Sequence, residues 1–120
     1  MVERVQTGLD ATYAALADPT RRAILDRLRT GGAARVTEVA REFPVSLNAV
    51  SKHIRVLEGA GLVRREVRGR EHVLSLDAGP LAEAGSWIAG YRAFWRVRAD
   101  ALAKHVEGSV LRQSRAGADQ

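Results

Sequence analysis

Apolar side chains recur at helical spacing through the first half of the chain, alternate briefly in its middle, and return to helical spacing towards its end. Leu9, Tyr13 and Leu16, four and three apart, predict a short amphipathic helix over 9–17. Asp18-Pro19 then punctuates the chain: Asp suits an N-cap and Pro the first helical position. A second helix is predicted over 19–29, with Ile24, Leu25 and Leu28 inward and Arg21, Arg22, Arg27 and Arg29 outward. Thr30-Gly31-Gly32 stops it. Thr37 is placed to cap a short third helix from Glu38 to Glu42, with Val39, Ala40 and Phe43 towards the core. Pro44-Val45 breaks that run and Ser46 caps a helix predicted over 47–60, on which Val50, Ile54 and Leu57 share one stripe. Gly59-Ala60-Gly61 ends it, Gly61 being suited to a left-handed C-cap.

The period then changes. Leu62 to Val67 and His72 to Leu76 are short and β-branched or alternating, with Arg68-Gly69-Arg70-Glu71 between them, which predicts a β-hairpin with an arginine-rich tip. Gly79-Pro80 restarts a helix that extends to about 107 without interior proline, although Gly85 and Gly90 weaken its first half. The expected fold is mainly α with a small β-hairpin, about five helices in the order α-α-α-α-β-β-α. The domain is expected over 9–107, between a flexible N-terminus at 1–8 and a flexible tail at 108–120.

Composition narrows the functions. A chain of 120 residues fits one domain. It has no cysteine, which excludes disulfides, thiolate nucleophiles and cysteine-based metal sites. No apolar h-region follows the opening Met1–Gln6, and no stretch nears the roughly 18 apolar residues of a membrane span, so a cytoplasmic location is expected. The net charge of +5 says little by itself, but its distribution says more: residues 46–72 hold six basic and three acidic side chains, more than half of the excess.

That basic stretch coincides with the short helix, tight turn and polar-faced helix between Val36 and Gly61. A helix-turn-helix lays its second helix in the DNA major groove, and that helix needs one apolar face for the core and one polar face for base edges. Val50, Ile54 and Leu57 supply the first; Asn48, Ser51, Lys52, His53 and Arg55 supply the second. The helix N-terminus at Ser46 and Leu47 favours a phosphate through its free amides and dipole. Arg64, Arg65, Arg68 and Arg70 make the hairpin a wing suited to the backbone or the minor groove.

Two strings carry a family resemblance. Ala15-Leu16-Ala17-Asp18-Pro19-Thr20-Arg21-Arg22-Ala23-Ile24-Leu25 and Val50-Ser51-Lys52-His53-Ile54-Arg55-Val56-Leu57-Glu58-Gly59-Ala60-Gly61-Leu62-Val63 closely resemble the arsenic-repressor (ArsR) family of bacterial regulators, over about residues 9–107. The resemblance implies DNA contact by Asn48, Ala49, Ser51, Lys52 and His53 and wing contact by Arg68 and Arg70. Leu47 stands where many relatives carry a polar reader, which leaves contact with a thymine methyl. It also implies a homodimer joined through the first and last helices. The residues agree: Leu9, Tyr13 and Leu16 lie on the first helix, and Trp87, Tyr91, Trp95 and Leu102 on the last, with Ile88, Phe94 and Val106 beside them. A stripe of that size is either core alone or core and partner interface. Two-fold symmetry then expects a palindromic site on double-stranded DNA and a repressor that occludes its promoter.

Other chemistry finds little footing. Where some relatives carry Cys-x-Cys, this chain has Val36-Thr37-Glu38-Val39-Ala40. Asp100, His105 and Glu107 are poorly spaced for a metal on the last helix, so neither metal nor cofactor is expected. Gly59-x-Gly61 follows a helix and is no dinucleotide motif, and Ser46, Ser51 and Ser75 have no partner set for catalysis, so no enzyme is expected. An interaction module using the aromatic last helix, and an unidentified small-molecule effector, stay open.

Overall fold

The computed structural model describes the backbone over residues 2–118 and side chains over residues 8–108. Two of the helices begin where a side chain satisfies a free amide. Helix α1, Val2–Leu16, ends two residues before Asp18, whose carboxylate accepts from the Arg21 backbone N–H at 3.1 Å and opens α2, Pro19–Gly31. Gly32, at φ 75°, closes α2 by donating to the Leu28 carbonyl. Ser46 Oγ accepts from the Ala49 N–H and opens α4, Leu47–Gly59. At its far end the Leu62 N–H reaches back to Leu57 O and the Gly61 N–H to Glu58 O, both at 2.9 Å, with Gly61 at φ 75°. That is a Schellman stop, and Leu57 and Leu62 are both fully buried, which supplies its apolar contact.

The third helix differs from its expected start. α3 spans Val36–Arg41, and Thr37 is its second residue and not its cap. The cause is a strand that the sequence pattern did not reveal: β1, Ala34–Arg35, pairs antiparallel with β3, Glu71–Leu76, in the register Ala34↔Leu74 and Arg35↔Val73. Two residues are too few to show an alternating pattern. On its other side β3 pairs with β2, Val63–Arg68, giving the order β1-β3-β2. The β2–β3 turn holds only Gly69 and Arg70; Gly69 alone has positive φ, at 63°, as a type II′ hairpin turn requires.

Ile24, Leu25 and Leu28 of α2, Val39 of α3, Val50, Ile54 and Leu57 of α4, and Leu62, Val63 and Leu74 of the hairpin form one core in the unit Met1–Ala84. Burying a side chain of this size contributes about 1.5–3 kcal/mol. Rolling α4 about its axis would forfeit three such terms, so the stripe fixes which face of α4 looks outward. Arg21 and Arg27, expected outward, are instead half-buried: Arg21 donates to the Ala14 and Ala15 carbonyls at the end of α1, and Arg27 pairs with Glu42.

The expected single last helix is broken. α5 spans Gly79–Ala89 and α6 spans Arg92–Ala118, so the described residues form six helices. At the break the Gly90 N–H is shared between Ser86 O and Trp87 O, and the Tyr91 N–H donates to Ile88 O, a tightened three-residue turn. A Cβ at position 90 would stand 3.2 Å from the Trp87 carbonyl oxygen, so glycine lets the chain close here. The helical backbone runs past both expected domain limits, Leu9 and Glu107. The second unit, Gly85–Gln120, comprises the end of α5 and all of α6. Among the described residues, no helix is long and apolar enough to cross a membrane.

Candidate nucleic-acid interface

Asn48, Lys52 and Arg55 recur four and three apart, as Val50, Ile54 and Leu57 do, but each two residues earlier. At 3.6 residues per turn the two stripes lie roughly 200° apart. Asn48, Lys52 and Arg55 are accordingly exposed while the apolar stripe is sealed. Ala49, Ser51 and His53 are half-buried at the edges of the outer face, and Leu47 is 55% exposed at its start. Ser46, already engaged as the N-cap, leaves Leu47 and Asn48 on the open first turn. A groove of about 280 Å³ separates the starts of α3 and α4 from the wing. Val36, Thr37, Leu47, Ser51, Arg70 and His72 line it together with Arg35, Arg65 and Glu71.

The hairpin register divides the wing arginines. Alternation puts Arg65 on the face that carries Val63 and Leu74, and Arg64 and Arg68 on the opposite face. Arg65 reaches across to α4: its NH2 donates to Glu58 Oε1 at 2.6 Å, and its NH1 lies 3.2 Å from His72 Nδ1. Arg64 pairs with Asp77 at 3.0 Å, and Arg68 clasps both oxygens of Glu66 at 3.1 and 3.0 Å. The guanidinium of Arg68 holds the Glu66 carboxyl below its usual range, and Glu66 in turn raises Arg68. Arg70, at the turn, is exposed and makes no ion pair among the described residues; the same holds for Lys52 and Arg55. Behind α4, Asp18 Oδ2 lies 3.8 Å from His53 Nδ1, and the Arg21 backbone N–H holds the Asp18 carboxyl below the ordinary range.

An exposed polar stripe on the second helix of a helix-turn-helix, opposite a sealed apolar one and flanked by a basic hairpin, is an arrangement built to enter a duplex groove. A helix-turn-helix domain model matches residues 16–66. The chain is 49% identical over 73 residues to the HTH-type transcriptional regulator Rv2034 of Mycobacterium tuberculosis, covering 61% of this chain and 67% of that one. A crystal structure of an ArsR family transcriptional regulator is 36% identical, with a TM-score of 0.69, over 76% of this chain and 93% of that one. The chain belongs to the ArsR family. It is a DNA-binding transcriptional regulator, and not an enzyme. A solution structure described as the homodimeric winged helix-turn-helix DNA-binding domain of Mb0332 from Mycobacterium bovis is 25% identical. Its TM-score is 0.58, and the match covers 86% of this chain and 88% of that one.

In this ArsR-family regulator the expected recognition-helix residues Ser46 to Arg55 thus gather on α4 and its N-cap, while the four wing arginines divide between two faces and a turn. Sequence reasoning missed the supports: Arg21 and Asp18 behind His53, and Glu58 beneath Arg65. These contacts join positions up to 35 residues apart, so no local spacing announces them. Of the expected dimer residues, Leu9, Tyr13 and Leu16 are half-buried within the first unit. Leu16 packs on the core and the Tyr13 hydroxyl donates to the Ala84 carbonyl at 3.1 Å. In the second unit Trp87, Tyr91, Trp95 and Leu102 are all at least half exposed, Leu102 reaching 65%. Trp87 and Tyr91 meet at 5.1 Å between centroids, and Phe94 stands edge-on to Trp95 at 5.7 Å.

Proposed function

We propose that this regulator acts in the cytoplasm as a homodimer on a palindromic operator and represses the promoter it covers. Each copy lays α4 in a major groove and its β2–β3 wing against the flanking backbone. The distribution of unpaired cations carries this reading. Lys52, Arg55 and Arg70 are exposed and free of ion pairs among the described residues, and they sit on the outer face of α4 and at the wing tip. A phosphate meets such a cation without first breaking a pair, whereas Arg64, Arg65 and Arg68 must exchange a carboxylate. Arg70 therefore leads the wing contact, Arg68 joins it by releasing Glu66, and Arg64 and Arg65 hold the hairpin in place. Asn48 is placed to read an adenine edge, Lys52 and Arg55 to meet phosphate or guanine, and Leu47 to touch a thymine methyl. Ala49 and Ser51 let the helix approach closely, and the free amide end at Ser46 faces a phosphate. A second copy covers the exposed Trp87, Tyr91, Trp95 and Leu102, assisted by Leu9, Tyr13 and Leu16; the homodimeric Mycobacterium bovis neighbour supports this assembly.

Mobility shifts over a series of salt concentrations test the DNA contacts. Lys52→Ala and Arg70→Ala are expected to weaken binding to every duplex and to reduce the salt slope by about 1 each. Asn48→Ala is expected to cost roughly 1–3 kcal/mol on the cognate operator and little elsewhere. Unchanged affinity in both the Lys52 and Arg70 variants would remove this model of the interface.

A further inference from the structure

We propose that Arg21 is a positioning residue for DNA recognition: it fixes the tautomer of His53 so that the Nε2–H is the group offered to the nucleic acid. This rests on the reading that α4 meets DNA through its outer face, with His53 at the edge. The Arg21 guanidinium is pinned from behind. Its Nε donates to Ala15 O at 2.6 Å and its NH2 to Ala14 O at 2.9 Å. Both carbonyls belong to the last turn of α1, where the helical ladder runs out, and Ala14 O also accepts the Ala17 N–H at 3.3 Å. With its plane fixed by two bonds, the guanidinium brings NH1 to 3.4 Å from His53 Nδ1.

A guanidinium has donors and no lone pair, so Nδ1 must accept, and the ring proton of a neutral His53 then resides on Nε2. The competing arrangement is an imidazolium whose Nδ1–H points at Asp18. It would turn two N–H groups towards each other, and Asp18 Oδ2, at 3.8 Å, is beyond hydrogen-bond reach. That carboxylate oxygen is already occupied by the Arg21 backbone N–H. Among the described residues Nε2 has no protein partner, and it is not sealed from solvent. One arginine thus joins the end of α1 to the recognition helix, and converts a histidine that could face DNA with either a lone pair or a proton into a donor. Phosphate oxygens only accept, so this is the matching form.

The test pairs a tautomer measurement with affinities. Long-range proton–nitrogen NMR of the wild-type imidazole at neutral pH, without DNA, is expected to show a protonated Nε2 and a bare Nδ1. Arg21→Lys keeps the charge, but one ammonium cannot span two α1 carbonyls and the imidazole; a mixture of tautomers is expected. Arg21→Lys and His53→Ala are each expected to lose roughly tenfold in operator affinity, and the double variant no more than either alone. A protonated Nδ1 or an even mixture in the wild type overturns the inference, and so do losses that simply add. A His53→Ala loss beside an Arg21→Lys variant with wild-type affinity and tautomer sinks the inference alone. Normal binding by His53→Ala instead removes His53 from the interface. If Arg21→Lys does not fold, the wild-type tautomer decides.

Discussion

Gly31 has no side chain, and Arg27 uses the space. One guanidinium nitrogen of Arg27 lies against the Gly31 backbone, buried and without a hydrogen-bond partner among the described residues, while Nε sits 2.7 Å from Glu42 beyond α3. A Cβ at 31 would collide with that nitrogen. Alanine in place of a helical glycine ordinarily stabilises by about 1 kcal/mol. Gly31→Ala is expected to yield less than this gain in the wild-type protein, because the Arg27 guanidinium must shift aside to admit the methyl, and to yield it in full in an Arg27→Met background. Urea unfolding of the four proteins checks this; an equal gain in both backgrounds would show the contact to be idle. Carboxylates set a second expectation. Asp18, Glu38, Glu66 and Asp77 are all held below their ordinary values, Asp18 and Asp77 mainly by backbone N–H groups and the two glutamates by arginines. Folded values below unfolded ones mean that the unfolded chain binds protons first. Their stabilisation is complete above the ordinary carboxylate range near ~4 and fades as pH falls through the folded values. Urea midpoints measured from neutral to acid pH are expected to drop on the acid side only. Asp18→Asn, which keeps the cap, should make that drop shallower.

At the scale of elements, legibility followed the length of the periodic signal. The 50-54-57 stripe, the Asp18 and Ser46 caps and the Gly61 stop were all readable, since each is a local rule with a residue type that satisfies it. β1 was not, because its two residues become a strand only through Leu74 and Val73, far along the chain. The break between α5 and α6 was half legible. Gly90 weakened the helix on paper, but nothing in the spacing of Trp87, Tyr91 and Trp95 said that the backbone would tighten there. The wing was legible as a hairpin, yet not as a division of labour. Which arginine is spent on Asp77, Glu58 or Glu66 depends on strand register and on a helix end, neither of which composition encodes.

For the whole molecule the exposed aromatic surface of the second unit is the largest departure from a self-sufficient fold. Trp87, Ile88, Tyr91, Phe94, Trp95 and Leu102 are each about half exposed or more, and Arg98 covers only the face of Phe94, at 4.5 Å. Trp95→Asp combined with Leu102→Asp is expected to yield monomers by sedimentation, with helical circular dichroism largely retained. Operator affinity should fall towards the ~10⁻⁴–10⁻⁶ M of sequence-indifferent binding. A double variant that still sediments as a dimer would place the partner surface elsewhere. Arg65 bolts wing to helix through Glu58, with His72 beside it on the neighbouring strand, so the gap between the two is set before any duplex arrives. With the proposed contacts, the protein works as a caliper with fixed jaws. A duplex whose groove widths suit the jaws is gripped as it stands; another must be bent to fit, at an elastic expense of order 1–6 kcal/mol for 40–90°. Some of the selectivity is therefore expected to fall on base pairs that no side chain touches.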